Sequence, residues 1–172
     1  MKKLLFVITT MMLAFGLTSC SFLERSGLFR DNEAIGEEYC EKIIDAIENK
    51  DADKLKSMFS TNALTEAENI DGGIEYVMDF YQGEFISKEG NVHTSETINH
   101  GEKTIRLNGI YRVTTEEHEY FVFFVYQYMD TENPDNVGLF MLQIMKQSEK
   151  EEQFDWYGKP YIAGIWLPAE GE

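Results

Sequence analysis

The sequence is poor in cysteine, proline and basic residues, and each shortage narrows the range of functions that the protein can have. Two cysteines and three prolines occur among 172 residues. Lysine and arginine together number 15 against 31 acidic residues, which gives a formal net charge of −16. Such an acidic surface repels nucleic acid and anionic lipid, because phosphate groups carry charge of the same sign. The composition therefore argues against nucleic acid as a partner.

Long apolar runs are also missing, except for one at the N-terminus, residues 4 to 17. This run follows two lysines and ends in Leu17-Thr18-Ser19-Cys20. A basic start, an apolar centre and small residues at a cleavage point are typical of a secretory signal peptide. The run is shorter than the roughly 20 residues that a membrane-spanning helix needs. Its end resembles the lipobox of bacterial lipoproteins.

The lipobox resemblance implies cleavage before Cys20 and a lipid on the Cys20 thiol. Two acyl chains, palmitate among them, anchor a protein stably without a spanning helix. We therefore expect a protein held at the cell membrane through Cys20, on the extracytoplasmic face. The expected organisation is a signal peptide (1–19), a lipidated cysteine and tether (20–30), one domain (31–168) and a tail (169–172). Cleavage would also remove two lysines and bring the net charge to −18.

The second cysteine, Cys40, is left without a disulfide partner once Cys20 is acylated. The domain must then be stabilised by its apolar core, although it lies on the oxidising side of the membrane. Cys40 stands in Tyr39-Cys40-Glu41-Lys42-Ile43-Ile44, which has a helical pattern. A buried small apolar side chain is a better interpretation than a reactive thiol, because no histidine or second cysteine lies near it in sequence.

The first part of the domain has the periodicity of an amphipathic helix. Apolar side chains recur every four residues from Ile35 to Ile47, while acidic residues cover the opposite side. This pattern predicts a helix of roughly 18 residues. Asp31 or Asn32 can cap its N-terminus.

Three shorter helices are expected before position 83. Asp51 is a predicted cap for the second helix, and Ser60 or Thr61 for the third. Asp71-Gly72-Gly73 is expected to interrupt helical structure before a fourth helix. Gly83 is expected to end that last helix, since glycine is common just past a helix C-terminus.

Beyond Gly83 the apolar residues recur every second position, which is typical of strands. The predicted strands are 91–99, 103–114, 119–130, 137–147 and 161–167. Asn99-His100-Gly101 is a hairpin signal, and Asn133-Pro134-Asp135-Asn136 is a predicted turn. Residues 119–130 are apolar on both faces, as in a central strand covered on both sides. Helices followed by an antiparallel meander predict an α+β fold, with the helices on one face of a curved sheet.

Three segments carry a resemblance to a family of bacterial lipoproteins, the domain of unknown function 5104. These segments are Leu55-Lys56-Ser57-Met58-Phe59-Ser60-Thr61-Asn62-Ala63-Leu64, Thr131-Glu132-Asn133-Pro134-Asp135-Asn136-Val137-Gly138-Leu139 and Ile162-Ala163-Gly164-Ile165. The family in turn resembles the nuclear transport factor 2-like superfamily, in which helices and a bent sheet form a cone around a pocket. That superfamily includes isomerases, dehydratases, binding modules and dimerisation domains, so the resemblance leaves the activity open.

If the cone holds an enzyme site, the resemblance implies a carboxylate base, and Asp130 is the candidate. Asp130 shares a face of the predicted strand with Tyr120, Phe124, Tyr126 and Tyr128. The carboxylate could act as the base, and the neighbouring phenols could act as oxyanion donors. The alternative interpretation is that Asp130 is a solvated cap beside the turn. Aromatic candidates for lining the pocket are Tyr76, Phe80, Tyr111, Tyr126, Tyr128 and Trp156.

No metal or cofactor is expected from the sequence. His93, His100 and His118 have no partners at metal-ligand spacing and are expected at the surface. The loop that starts at Asp130 looks superficially like a calcium loop, but Met141 stands where a bidentate glutamate would close it.

These observations leave three hypotheses for function. We favour a module that binds a small apolar molecule or a protein. A small isomerase or dehydratase that uses Asp130 is the second, and a purely structural homodimer is the third. A filled interior would favour the interaction protein, whereas an ionisable group with a raised pKa at the bottom of the cone would favour the enzyme.

Overall fold

The computed structural model describes residues 31–154 and 161–167. Within them, four helices are followed by a five-stranded sheet. The helices are α1 Asn32–Glu48, α2 Ala52–Ser57, α3 Thr61–Glu66 and α4 Ile70–Phe80. The strands are β1 Phe85–Asn99, β2 Glu102–Thr115, β3 Glu119–Asp130, β4 Gly138–Lys146 and β5 Gly164–Trp166. Short helical segments cover Pro134–Asn136, Gln147–Glu149 and α5 Lys150–Gln153. The predicted α+β class is therefore confirmed.

Side-chain caps begin the first three helices where the sequence predicts them. The Asp31 carboxylate accepts a hydrogen bond from the backbone N–H of Glu33 at 3.0 Å. Asp51 accepts one from Lys54 at 2.9 Å, and the Ser60 hydroxyl accepts one from Ala63 at 3.1 Å. Each bond satisfies an N–H group that has no partner inside its helix.

The fourth helix differs from the prediction at both ends. Asn69 caps it and accepts from the Gly72 N–H at 3.0 Å, so the two glycines lie inside the first turns and do not break the chain. A side chain at Gly73 would put its Cβ 2.8 Å from the Cβ of Ile165, so this glycine permits close packing against β5. The helix ends at Phe80, and Gly83, with φ of +82°, lies in the turn into β1.

The sheet has the order β1-β2-β3-β4-β5. The first four strands form the predicted antiparallel meander, whereas β5 pairs parallel to β4. His100 and Gly101 both have positive φ, at 51° and 92°, which confirms the tight turn between β1 and β2. β1 starts at Phe85, six residues before the predicted strand, because residues 85–90 pair with β2 without alternating in polarity.

The helices cover one face of the sheet, which we call the inner face. Its core contains fully buried side chains from α1, α2, α4 and strands β3 and β4. Among them are Cys40, Ile43, Ile47, Leu55, Val77, Tyr120, Phe124, Leu142 and Ile144. Burial raises the pKa of the Cys40 thiol to about 12. The interpretation of Cys40 as a buried apolar side chain is confirmed.

The opposite, outer face is also covered along the central strands. Phe121, Phe123 and Val125 of β3 are at most 3% exposed. The Phe154 ring lies over them, with its centroid 4.7 Å from that of Phe121 and 5.1 Å from that of Phe123. The Tyr161 ring adds a contact to Phe123 at 6.0 Å. This confirms the prediction that β3 is a central strand covered on both faces.

Candidate functional site

The predicted pocket residues that the structure describes pack in or against the inner core, at different positions along it. Tyr76 and Phe80 stack at 5.4 Å beside the start of β3. Tyr111 stacks on the fully buried Phe124 at 6.0 Å. Tyr126 lies six residues along β3 from the Phe80 contact at Tyr120, a separation of roughly 20 Å on an extended strand. Trp156 and Cys20 lie outside the described residues.

Tyr126 and Tyr128 belong to a cluster at the far end of the inner face. The Tyr126 ring stacks on Tyr39 at a centroid distance of 3.8 Å and lies 6.3 Å from Tyr128. The Tyr39 hydroxyl donates to the carbonyl oxygen of Met58 at 2.8 Å. Burial raises the pKa of the Tyr39 phenol, so this group holds its proton and cannot act as a base near neutral pH. The cluster joins α1 to the sheet.

A bulge in β3 changes the face on which Asp130 lies. Gln127 pairs with Arg106 of β2, but Met129 pairs with Ile105, so Tyr128 is an extra residue in the ladder. Such an extra residue shifts the alternation of all later side chains. Asp130 therefore does not share the face of Tyr120 and Phe124, as a regular strand would require. The expected grouping of a carboxylate with phenols is wrong.

Asp130 instead organises the loop between β3 and β4. Its carboxylate accepts hydrogen bonds from the backbone N–H groups of Glu132 at 3.1 Å and Asn133 at 2.9 Å. The Asn136 side chain donates to it at 2.8 Å and in turn accepts from Asn62 of α3 at 2.6 Å. These bonds hold the pKa of Asp130 below its usual range, the Asn133 N–H contributing most. A carboxylate with a lowered pKa is a weaker base, which favours the capping interpretation.

The histidines occupy different environments. His93 and His100 are exposed, as expected, but His118 is half-buried with its ring against Tyr120 at 5.9 Å. Within residues 31–154 and 161–167, no group of three or more His, Cys, Asp or Glu side chains is placed to hold a metal ion.

Sequence reasoning missed a groove between the α3–α4 connection and the segment around β5. Its volume is about 450 Å³. Apolar side chains that remain exposed form part of its wall: Tyr161 at 44%, Ile162 at 46% and Leu167 at 41%. The described residues that line it are Glu66, Ala67, Glu68, Asn69, Phe140, Tyr161, Ile162, Ala163, Ile165 and Leu167. An exposed apolar patch with a polar rim is typical of an interaction site.

Two backbone features shape the groove. Gly164 adopts φ of +93°, and a Cβ at this position would lie 2.8 Å from the Cβ of Ala67. Only glycine lets β5 approach the α3–α4 connection so closely in this conformation. On the other side, a bulge in β4 leaves Phe140 as an extra residue between Leu139 and Met141, which pair with β3. Phe140 packs against the cores of both faces and lines the groove.

The charge of the groove is negative. Glu66 and Glu68 are exposed on the connection between α3 and α4, and the described lining contains no lysine or arginine. An acidic rim beside an apolar wall fits a ligand that carries apolar groups next to a positive charge.

Comparison with known protein families finds one match, the domain of unknown function DUF5104, over residues 42–147. The chain belongs to this family. The match runs from the middle of α1 to the end of β4, so this DUF5104 domain contains the α3–α4 side of the groove within the matched range. No curated protein matches the chain.

The β5 side of the groove lies beyond the DUF5104 match. It contains Ile162-Ala163-Gly164-Ile165, a predicted family segment that the match does not cover. The described part of this DUF5104 chain has no helix that is long and apolar enough to cross a membrane.

Proposed function

We propose that the protein is a membrane-anchored extracytoplasmic lipoprotein whose domain binds a protein segment in the groove beside β5. The anchor is inferred from the lipobox that ends at Cys20. The order of helices and then a bulged antiparallel sheet supports a nuclear transport factor 2-like fold, since bulges are a usual cause of sheet curvature. The family itself is of unknown function, so the binding role rests on the geometry of this chain.

The observation that carries the proposal is the contrast between a filled interior and an open groove. Between helices and sheet, the side chains of Ile43, Phe124 and Leu142 are fully buried and in one continuous cluster. Opening a pocket there would require the removal of packed apolar side chains, which costs several kcal/mol for each large one. The groove, in contrast, already exposes apolar surface beside Ile162 without any rearrangement.

The groove chemistry favours an apolar and basic peptide segment over a small apolar molecule. Its apolar wall is open to solvent along one side, so it would leave much of a small ligand wet. A peptide can place one apolar anchor against Ile162 and a lysine or arginine near Glu66 or Glu68. Apolar anchors supply most of such affinity, and rim charges set orientation and association rate.

The binding site can be tested with a random peptide library displayed on phage and selected against residues 21–172. We expect enriched peptides with apolar residues next to lysine or arginine. Ile162→Asp should weaken their binding about tenfold or more, because it places a charge in the apolar wall. Glu66→Lys should weaken them less, and more strongly at low than at high salt. The measurement is peptide affinity by fluorescence anisotropy.

Val137→Asp is a matched control, since Val137 is a 40% exposed apolar residue that does not line the groove. It should bind the selected peptides as the unmodified domain does. Equal binding by the Ile162→Asp variant would place the peptides elsewhere and contradict the proposal, as would a library that yields no enriched sequence.

A further inference from the structure

β1 is an edge strand of the described sheet. It is 15 residues long, and within the described part of the chain no strand pairs with it opposite β2. Natural edge strands are commonly short or interrupted by proline, because unpaired N–H and C=O groups can pair with another chain. β1 has no proline, and its one bulge, at Ile86, lies near its start, so residues 87–99 form a regular edge. The strand exposes Ile86 at 59% and Ile98 at 66%.

We propose that β1 pairs antiparallel with β1 of a second copy, about a two-fold axis at Val92. This register places Lys88 opposite Glu96 of the second copy, twice by symmetry. It also brings Ile98, the most exposed apolar residue of the strand, to the bulge that contains Ile86 of the second copy, the next most exposed one. A two-fold interface uses the same patch on both copies, so a strand that is complementary to itself is what it requires.

The side chains that pair lie on the same face of the sheet. Lys88 points to the helix side, where its ammonium group contacts Glu37 at 2.8 Å and Glu41 at 3.3 Å. Val92 lies on the same face, against Gly36 of α1. Glu96 lies on this face too, because every second residue of a strand, here Val92, Thr94 and Glu96, points to the same side. Its carboxylate contacts Lys103 at 2.8 Å. When two antiparallel strands are related by a two-fold axis normal to the sheet, residues opposite each other have their side chains on the same face. Lys88, Val92 and Glu96 meet this condition in the Val92 register.

Neighbouring registers are less complementary. An axis at residue 91 would place Ile98 opposite Glu84 and Lys88 opposite Thr94. An axis at residue 93 would place Lys88 opposite Ile98 and Ile86 opposite His100. Both put an apolar side chain against a polar one and separate Lys88 from Glu96. Cross-strand pairs of opposite charge or of two apolar residues are the ones that stabilise sheets.

The Lys88 side chain is only 11% exposed and already contacts Glu37 and Glu41. An added contact with Glu96 of the second copy therefore contributes little affinity and serves only to select the register. Backbone hydrogen bonds along the edge and contact between the isoleucines supply the attraction. Repulsion between two strongly acidic chains opposes it. The proposal does not depend on what binds in the groove, because the groove lies beside β5, at the opposite edge of the sheet from β1.

Sedimentation equilibrium of residues 21–172, at concentrations up to roughly 0.5 mM, measures the association directly. We expect a monomer–dimer equilibrium. Ile98→Asp should raise the dissociation constant about tenfold or more without unfolding the domain, because the side chain is exposed. Val137→Asp, an exposed apolar residue away from β1, should leave the dimer unchanged. A monomer at every concentration, or a dimer that Ile98→Asp does not weaken, would overturn the proposal.

The register is tested by single cysteines under mild oxidation. In the proposed pair, residue 92 of one copy lies beside residue 92 of the other, so Val92→Cys should cross-link. Thr94→Cys should not, because two copies of position 94 are four residues apart in register, roughly 13 Å, beyond disulfide reach. Cys40 is buried and does not interfere.

If Val92→Cys fails to fold, an equimolar mixture of Asn91→Cys and His93→Cys tests the same register. These exposed positions face each other only between copies, so the mixed cross-linked dimer should exceed either self-linked one. Cross-linking of Thr94→Cys in preference to Val92→Cys, or self-linked products in excess of the mixed one, would contradict the register.

Discussion

At the scale of single residues, several ionisable side chains are buried in their neutral forms. The Cys40 thiol and the phenols of Tyr39, Tyr81 and Tyr111 all lie in or against the inner core. Burial raises the pKa of each, that of Cys40 to about 12. None of these groups is therefore a ready nucleophile or base near neutral pH.

These raised pKa values predict loss of stability in alkali. The unfolded chain releases the thiol proton at about pH 8.5 and the phenol protons at about pH 10. The folded chain keeps these protons to higher pH. Above about pH 8.5 the unfolded state binds fewer protons than the folded one, so the free energy of unfolding must fall as pH rises. Urea unfolding measured between about pH 7 and 11 checks this.

Tyr111→Phe is the matched variant, because it keeps the ring that stacks on Phe124 and removes the phenol. Its free energy of unfolding should fall less steeply above about pH 10 than that of the unmodified domain. A free energy of unfolding that stays constant up to about pH 11 would contradict the burial of these groups.

At the scale of elements, the β3–β4 loop is held by a chain of side-chain hydrogen bonds. Asp130 at the end of β3 is joined through Asn136 to Asn62 on α3. Asn133 adds a cap, accepting from the Asp135 N–H at 3.3 Å. The loop thereby fixes the position of α3 relative to β4, and α3 leads directly to the acidic rim of the groove.

Asp130→Asn tests this structural role. The lowered pKa of Asp130 means that its carboxylate stabilises the fold above the unfolded pKa of about 3.9, and that this contribution is lost as pH falls through the folded value. We expect the variant to be less stable by about 0.5–1.5 kcal/mol at pH 7. The difference should shrink as pH is lowered from about 5 to 2, which urea unfolding at each pH measures.

The same variant addresses the enzyme hypothesis. If the role of Asp130 is structural, any turnover found for this protein should remain in the Asp130→Asn variant, after correction for stability. Loss of turnover in a folded variant would instead support Asp130 as the base, and a stability difference that is the same at every pH would contradict the role of its charge.

At the scale of the whole molecule, the proposed anchor would decide where the groove acts. A lipid on Cys20 would hold the domain at the membrane surface, with residues 21–30 as the tether. The acidic domain is repelled by anionic lipid headgroups, so it would be presented to partners away from the membrane.

Lipidation predicts that Cys20→Ser abolishes metabolic labelling with a clickable palmitate and releases the protein from the membrane fraction of cells. Loss of one diacyl anchor removes essentially all of the membrane affinity, since no other part of the mature chain offers a lipid attachment site of this kind. Cys40→Ala is the control and should keep the label. Labelling that survives Cys20→Ser would show that the lipobox interpretation is wrong.

The helices and the central strand could be predicted because their signals are local. Asp51 and Ser60 cap helices through bonds to residues three positions later, and β3 reads as a doubly covered strand from its own twelve residues. The start of β1 could not be predicted in this way. Residues 85–90 show no alternation, and their pairing with β2 determines their conformation.

The sequence by itself determined the α+β class, the order of the elements, the caps and the burial of Cys40, because each depends on neighbours within a few positions. It also carries the segment that resembles a lipobox, which lies outside the described residues. Only the tertiary structure decided the face of Asp130, the filling of the interior and the groove. A bulge at Tyr128 depends on the partner strand, and the groove depends on contact between Ala67 and Gly164, which are far apart in sequence. Such features arise from long-range packing, which no local periodicity encodes.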